Sequence, residues 1–274
     1  MEPELDAYLA LWGLIPDGEP IWTRSSRLLP VLRSGAPAML KVAIHPEEKQ
    51  GARLMAWWDG VGAARVMEHD AEAILLERAT GARSLAAMVA DGRDDEASRI
   101  LCDVISELHR PRAYGPPELT PLSIWFRSLE PMAQREGGVL LRCAEVAREL
   151  LADLRDVVLL HGDVHHGNVL DFGPRGWLAI DPKGLVGERG FDYANLFCNP
   201  EHGIALAPGR LARQADIVAE AGRLERGRLL QWIAAWAGLS AAWSVEDGES
   251  DAGPMLEIAR LALGEIDGSG RPRS

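Results

Sequence analysis

The chain reads Val157-Val158-Leu159-Leu160-His161-Gly162-Asp163-Val164-His165-His166-Gly167-Asn168-Val169-Leu170 at its most informative point, and soon continues as Gly176-Trp177-Leu178-Ala179-Ile180-Asp181-Pro182. An apolar run enters a polar loop, a short strand leaves the loop, and a second strand ends on an aspartate. A hairpin of this kind would bring Asp163, Asn168 and Asp181 around one cavity. Phosphoryl transfer uses these residue types: a carboxylate to orient the attacking hydroxyl and accept its proton, and oxygen ligands for Mg²⁺.

A plainer explanation exists for each aspartate alone, because helix N-caps and turns also favour aspartate. N-caps and turns do not readily explain why Asp163, Asn168 and Asp181 occur together at this spacing. A second triplet, Asp171-Phe172-Gly173, matches the metal-binding triplet of protein kinases but starts only three residues after Asn168. We predict that residues 171–175 form the hairpin turn and that Asp181 fills the metal-binding position, so that loss of the Asp171 carboxylate should have little effect on Mg²⁺-dependent turnover.

Short segments rich in strand formers occupy the first third of the chain, and amphipathic helical patterns follow residue 81. The predicted fold class is α+β: a bilobal, protein-kinase-like fold with a small β-sheet N-lobe carrying one helix, and a larger, mostly helical C-lobe. We place the nucleotide-binding lobe at residues 1–80. The lobe at residues 81–274 would hold the catalytic loop and the acceptor site.

Lys41 lies inside the apolar strand segment Ala38–Ala43, where an unpaired ammonium group would be costly to bury. It therefore needs anionic partners, and the helix predicted to follow offers Glu47 and Glu48. A surface lysine whose stem covers apolar neighbours is the alternative.

The loop from His161 to Asn168 resembles the catalytic loop of the aminoglycoside phosphotransferase family, itself a variant of the protein-kinase loop. The resemblance implies that Asp163 is the catalytic base and that Asn168 and Asp181 hold Mg²⁺. It also implies that Lys41 pairs with Glu48 and contacts the phosphates of ATP.

Other parts of the nucleotide site follow from the same resemblance. No glycine-rich phosphate loop lies between the first strands, and Ser25 and Ser26 stand in its place. Residues 77–81 look like the hinge, where Glu77 C=O and Ala79 N–H would read adenine; an edge strand entering a loop is the plainer interpretation. Asp192 resembles a buried aspartate that binds the catalytic-loop backbone, although a helix N-cap explains it equally well.

Several segments outside the loop resemble the streptomycin 6-phosphotransferases, also grouped as aminoglycoside and hydroxyurea resistance kinases. These segments are residues 57–60, 176–182, 184–188, 191–195 and 238–243. Val164 and Gly167 depart from the family pattern, but neither supplies a required ligand. The resemblance implies transfer of phosphate from ATP to streptomycin, at the 6-hydroxyl of its streptidine ring. A metabolic kinase for another small alcohol or for hydroxyurea, and a nucleotide-binding pseudokinase, are the alternatives.

The formal net charge of −12 argues against a nucleic-acid partner and would favour a cationic aminoglycoside, although solubility alone also explains it. The candidate acids for binding the cationic substrate lie in two groups: Glu188 and Asp192, and Glu246, Asp247, Glu249 and Asp251. For most of the second group a solvated turn is the simpler explanation. The acidic start and the lack of a long apolar run predict a cytoplasmic protein without a membrane or obligate protein partner.

Overall fold

The structure is a computed structural model that describes residues 3–248 and 252–269. Residues 14–77 form an antiparallel sheet with the strand order β1-β3-β4-β6-β5, and β2 pairs with β3. Its strands are β1 (Leu14–Pro16), β2 (Ile21–Trp22), β3 (Ser26–Arg33), β4 (Ala36–Ala43), β5 (Val66–His69) and β6 (Ala73–Glu77). The helices beside it are α1 (Pro3–Trp12) and α2 (Pro46–Trp58).

Helix α1 corrects the expectation of one helix beside the sheet. Leu5 is fully buried, and Tyr8, Leu9 and Trp12 pack against the same cluster of sheet residues. The spacing of these four residues follows one face of a helix, so the pattern was present in the sequence. Helix α2 begins with a proline at its first turn and ends at Asp59 in the left-handed region, as the Pro46 and Asp59-Gly60 signals predict.

Helices dominate the rest of the chain: α3 (Leu85–Ala90), α4 (Asp94–Leu108), α5 (Leu122–Trp125), α6 (Leu129–Glu136), α7 (Val139–Ala152), α8 (His202–Ala205), α9 (Arg210–Gly222), α10 (Arg226–Glu246) and α11 (Gly253–Ser269). Helix α10 is apolar around most of its circumference, so it is buried among other helices. Gly238 permits its close approach to α7, because a Cβ there would lie 2.4 Å from the Cβ of Cys143. The free cysteines Cys102, Cys143 and Cys198 are all buried.

Two small sheets position the loop that the sequence singled out. Strands β7 (Thr120–Pro121), β8 (Val157–Leu160) and β11 (Leu185–Glu188) form one, and the hairpin of β9 (Val169–Asp171) and β10 (Trp177–Ala179) forms the other. A 3₁₀ turn at Gly173–Arg175 closes the hairpin, as predicted. The predicted lobe boundary at residues 80 and 81 falls between the end of β6 and the start of α3 and stays a prediction.

Candidate active site

Asp163 lies in the loop between β8 and β9, and its side chain is 23% exposed. Asn195 Nδ2 donates to Asp163 Oδ1 over 2.9 Å, and Asn168 Nδ2 donates to the main-chain oxygen of Asp163 over 3.0 Å. Lys183 Nζ lies 3.7 Å from Asp163 Oδ2. Burial raises the pKa of Asp163 to about 7, and Lys183 opposes that rise. A carboxylate with a pKa near neutrality is suited to accept a proton during turnover.

Asp192 holds the start of this loop. Its carboxylate accepts hydrogen bonds from the backbone N–H groups of His161 and Gly162, at 2.9 and 2.7 Å, and from His109 Nε2 at 2.8 Å. His161 packs beneath the loop, and its Nε2 donates to the carbonyl oxygen of Ile180 over 2.8 Å. Burial lowers the pKa of His161, which keeps the ring neutral. These bonds fix the loop rather than contribute reacting groups.

The two predicted metal ligands come from adjoining strand ends. Ile180 N donates to Asn168 O over 2.9 Å, which joins the loop to the end of β10, and Asp181 follows directly. Asp181 has a φ of +60°, a left-handed conformation that aspartate adopts more readily than most residues. The amide nitrogen of Asn168 faces Asp163, so its Oδ1 is the atom left to bind a cation.

Lys41 in β4 has two anionic partners, as its buried position requires. Its ammonium group contacts the carboxylates of Glu48 in α2 and of Asp181. The Lys41 side chain is 11% exposed and that of Glu48 is 5% exposed. Burial alone would raise the pKa of Asp181, but Lys41 and Lys183 outweigh burial and lower it. Asp181 is therefore ionised at neutral pH.

A cavity of about 360 Å³ opens beside this cluster. Its apolar walls come from the sheet and from the β9–β10 hairpin: Leu28, Met39, Leu76, Leu170, Phe172 and Ile180. Lys41 and Asp181 also line it, together with the segment Glu77–Ala79. An apolar slot with a few polar groups is the usual form of a site for a planar ligand such as a nucleotide base.

The predicted hinge residues line this cavity. Ala79 N–H donates to no other group in the described part of the chain, so it is available to a ligand. The Glu77 side chain is turned to other partners, because it contacts Arg175 and accepts a hydrogen bond from Arg65 N over 2.6 Å. The Glu77 N–H also donates to Arg65 O over 2.9 Å, so only the carbonyl oxygen of Glu77 remains for nucleotide recognition, as predicted.

Ser25 lies in the turn before β3, and Ser26 is the first residue of that strand. Ser26 is buried and lines the cavity, but its hydroxyl lies 3.0 Å from Thr23 Oγ1, which also accepts from Ser26 N over 2.9 Å. Ser25 does not line the cavity; its carbonyl oxygen accepts hydrogen bonds from Ile44 N and His45 N. Thr23, which the sequence analysis did not single out, does line it.

Asp171 has a structural role that the sequence did not reveal, while the expectation that its loss has little effect on Mg²⁺-dependent turnover stays a prediction. Its carboxylate accepts hydrogen bonds from Arg83 Nε over 2.8 Å and from Arg83 Nη2 over 2.9 Å. Arg83 also lies over the ring of Trp177, 4.9 Å from its centroid. A Cβ on Gly81 would lie 2.1 Å from the Asp171 carboxyl carbon, so only glycine fits there. Asp171 thus ties the segment between β6 and α3 to the β9–β10 hairpin.

The structure contradicts the prediction that Glu188 and Asp192 bind the substrate. Glu188 is buried, and its carboxylate binds the Arg228 guanidinium, Trp232 Nε1 over 2.9 Å and Arg155 N over 3.0 Å. The oxygens of Asp192 are engaged by the catalytic loop and by His109. Neither carboxylate is open to a ligand, because each already satisfies buried donors.

The acids after α10 are placed differently. Asp247 is exposed, and its Oδ2 lies 3.1 Å from Nη1 of Arg24, a residue of the turn before β3. The pair spans the N-terminal sheet and the end of α10. Glu246 is exposed. Glu249 and Asp251 lie outside the residues that the structure describes.

Sequence reasoning missed Lys183 and Asn195. Lys183 Nζ lies near both Asp163 and Glu48, at 3.7 and 3.9 Å. It follows Asp181 by two residues in the motif Asp-Pro-Lys, which is the signal that was available. Asn195 follows Asp192 by three residues in the 3₁₀ helix Arg189–Cys198, where side chains three apart eclipse one another. No helix among the described residues has the length and apolar character to cross a bilayer.

Residues 11–248 match the profile of the aminoglycoside/hydroxyurea antibiotic resistance kinases. The chain belongs to that family. As a member of this kinase family, it is a phosphotransferase for which ATP is the implied phosphate donor.

Curated relatives of this kinase carry three kinds of name. A streptomycin 3''-kinase from Klebsiella pneumoniae is 54% identical over 86% of this chain and 91% of that protein. A streptomycin 6-kinase from Streptomyces griseus is 35% identical over 92% of this chain and 85% of that protein. A hydroxyurea phosphotransferase from Kitasatospora aureofaciens is 32% identical over 92% of this chain and 75% of that protein.

Solved structures similar to this kinase confirm the fold class. An aminoglycoside phosphotransferase in ternary complex with ADP and hygromycin B aligns with a TM-score of 0.61 at 15% identity, covering 98% of this chain and 99% of that chain. A choline kinase from Cryptosporidium parvum aligns with a TM-score of 0.65 at 12% identity, covering 93% of this chain and 90% of that chain. At such identities the likeness shows the protein-kinase-like fold alone.

Proposed function

We propose that this kinase transfers the γ-phosphate of ATP to a hydroxyl of streptomycin. The observation that carries the proposal is the 54% identity to a streptomycin kinase along most of both chains. The cleft supports it, because Asp163, Lys41, Glu48 and Asp181 form one connected cluster through Lys183 and Lys41. Residues 1–80 and the hairpin would hold the nucleotide, and the acceptor would bind on the side of residues 81–274.

Asp163 serves as the base in this proposal. The acceptor oxygen forms a bond to the γ-phosphorus, the bond from that phosphorus to the β–γ bridging oxygen breaks, and ADP leaves. Asp163 accepts the hydroxyl proton. The raised pKa of Asp163 suits this role, since the carboxylate can take up and release a proton near neutral pH.

The oxygens of Asn168 and Asp181 fit Mg²⁺. Both residues offer hard oxygen ligands, and the lowered pKa of Asp181 keeps its carboxylate charged. When bound, the cation neutralises phosphate charge that develops during transfer. Lys41 and Asp181 are in contact in the structure, so ATP phosphates and cation would enter where these two groups meet.

The acceptor is expected to lie beside the C-terminal end of α10, where residues 243–246 are partly or fully exposed. Trp236 and Trp243 lie on one face of this helix, with their ring centroids 5.8 Å apart. Trp236 donates a hydrogen bond to Asn195, which in turn contacts Asp163. Asp247 follows Trp243 by four residues and lies on the same side. The helical rise places Asp247 roughly 16 Å from Trp236. A cationic molecule could therefore present a hydroxyl to Asp163 and a guanidinium to Asp247, which already binds that of Arg24.

Two hydroxyls of streptomycin are candidates. The family resemblance implies the 6-hydroxyl, which agrees with the name of the 35% identical relative, while the 54% identical relative is named for the 3''-position. Two-dimensional ¹H–³¹P spectroscopy of the product identifies the phosphorylated oxygen.

The proposal is tested by ADP release from purified protein with ATP and Mg²⁺. Streptomycin should stimulate release, kanamycin should do so weakly, and Asp163→Asn protein should respond to neither. Hydroxyurea and glycerol are the comparison acceptors, because one relative is named a hydroxyurea phosphotransferase. Stimulation by hydroxyurea or glycerol but not by streptomycin would replace the proposal with the corresponding alternative. No stimulation, with ATP bound, would favour a nucleotide-binding pseudokinase.

A further inference from the structure

Asn195 is in direct contact with the proposed base. Its side chain is buried, and Nδ2 donates to Asp163 Oδ1 over 2.9 Å. The other oxygen of Asp163 has weaker neighbours, with Asn168 Nδ2 at 3.4 Å and Lys183 Nζ at 3.7 Å. The hydrogen bond from Asn195 is therefore the short contact that sets the rotation of the carboxylate.

The orientation of the Asn195 amide is itself determined by its neighbours. Trp236 Nε1 lies 2.9 Å from Asn195 Oδ1, and an indole nitrogen can only donate. Asn199 Nδ2 donates to the same oxygen over 3.1 Å. Because both contacts require an acceptor, the amide oxygen must face Trp236 and Asn199. The amide nitrogen must then face Asp163.

The residue that imposes this orientation is itself immobilised. Trp236 is 7% exposed and packs edge-on against Phe191 at 5.5 Å and Trp243 at 5.8 Å. Trp236 comes from α10, whereas Asn195 comes from the 3₁₀ helix that also carries Asp192. Two separate elements thus meet at the Asn195 amide, whose nitrogen donates to Asp163 Oδ1.

We propose that Asn195 is a positioning residue that selects, under the control of Trp236, which oxygen of Asp163 receives the acceptor proton. This inference rests on the proposed function of Asp163 as the base. Asn195 occupies Oδ1 and turns Oδ2 toward the reacting hydroxyl. Trp236 acts only through Asn195, by preventing the amide from turning over.

Replacement of Asn195 by aspartate separates positioning from packing. Asn195→Asp keeps an oxygen for Trp236 and Asn199 but places a carboxylate against Asp163. Asn195→Ala loses all the contacts of the amide. If Asn195 only supported packing, Asn195→Ala would be the more damaging change. A positioning role predicts the reverse order, with kcat lowered by about 100-fold in Asn195→Asp and by about 10-fold in Asn195→Ala. In both variants the KM for ATP and the KM for the acceptor should stay within about threefold of wild type.

Trp236→Phe and Trp232→Phe form a matched pair on α10. Each removes a buried indole donor, but Trp232 donates to Glu188, which is not in contact with Asp163. We expect Trp236→Phe to lower kcat by about fivefold and to add nothing when combined with Asn195→Ala, since both act on one contact. Trp232→Phe should keep kcat within about twofold of wild type while losing similar thermal stability.

The variants are compared on the acceptor that wild-type protein phosphorylates, or on basal ATP hydrolysis if none is found. Folding is checked by circular dichroism. Wild-type kcat in Asn195→Asp, or equal losses of kcat in Trp236→Phe and Trp232→Phe, would overturn the positioning role and leave the proposed function standing. Failure of wild-type protein to phosphorylate streptomycin would overturn the proposed function, and the ranking of variants would still decide the role of Asn195.

Discussion

Lys183 Nζ lies 3.7 Å from Asp163 Oδ2 and 3.9 Å from Glu48 Oε1, so one cation joins the proposed base to the residues that hold Lys41. Its positive charge favours the ionised form of Asp163, whereas burial favours the protonated form. With both effects present the pKa of Asp163 is about 7, and Lys183 keeps it from rising further.

Replacement of Lys183 by methionine should therefore shift the pH dependence of catalysis. Without the cation the pKa of Asp163 rises, and a base that must be ionised then becomes active only at higher pH. The acidic limb of kcat/KM for the acceptor should move to higher pH, and Lys183→Arg should move it less. An unchanged limb in Lys183→Met, measured between pH 5.5 and 9 at saturating ATP, would argue against this coupling.

Asp163→Asn should lower kcat by about 100-fold or more, because general bases contribute at least that much. ATP affinity, measured by calorimetry, should stay near the wild-type value, since the nucleotide cavity is lined by other residues. Near-normal turnover by a folded Asp163→Asn protein would show that another group accepts the proton.

Replacement of Asp181 should affect catalysis, whereas replacement of Asp171 should affect stability. Asp181→Asn should abolish most Mg²⁺-dependent turnover, because it removes a proposed metal ligand and a partner of Lys41. Asp171→Asn should leave the Mg²⁺ requirement unchanged but lower the Tm by about 4 °C or more, because Arg83 loses its charged partner. Titration of turnover with Mg²⁺ and thermal unfolding of both variants check the assignment, and the opposite pattern would reverse it.

The stability contribution of Asp171 should depend on pH in one direction. Arg83 and nearby backbone N–H groups hold the pKa of Asp171 well below its ordinary value of 3.8. A carboxylate whose pKa is lower in the folded state than in the unfolded state stabilises the fold at pH values above its unfolded-state pKa. That stabilisation is lost as the pH falls through the folded-state pKa. The Tm difference between wild type and Asp171→Asn should be constant above about pH 5 and narrow below about pH 4. A difference that grows in acid would contradict the Arg83 pairing.

Asp247→Asn should raise the KM for streptomycin by about fivefold and leave the KM for ATP unchanged, because it removes the proposed partner of a substrate guanidinium. Glu130→Gln is the matched control, since Glu130 is another exposed acid that binds an arginine, Arg148, on the surface between α6 and α7. Equal effects of the two substitutions would indicate a general loss of negative charge rather than a specific site.

Local sequence patterns were enough to predict the parts of the site that lie close together along the chain. The loop with Asp163 and Asn168, the turn at residues 171–175 and the strand ending before Asp181 are all short-range features with strong turn and strand signals. A buried strand lysine needs an acid, which left Glu47 and Glu48 as candidates; the family resemblance pointed to Glu48, and the structure shows that contact. Helix α1 was missed despite its helical spacing.

The sequence by itself determined the family, the fold class and the order of the chemical groups, because motifs and hydrophobic periodicity are local properties of the chain. Only the tertiary structure decided which acids are engaged and which groups meet Asp163. Glu188 and Asp247 are both carboxylates near aromatic residues, yet one is buried against Arg228 and the other is exposed beside Arg24. The hydrogen bonds from Trp236 to Asn195 and from Asn195 to Asp163 join three separate elements. They form because tertiary packing brings donors and acceptors together that are far apart along the chain.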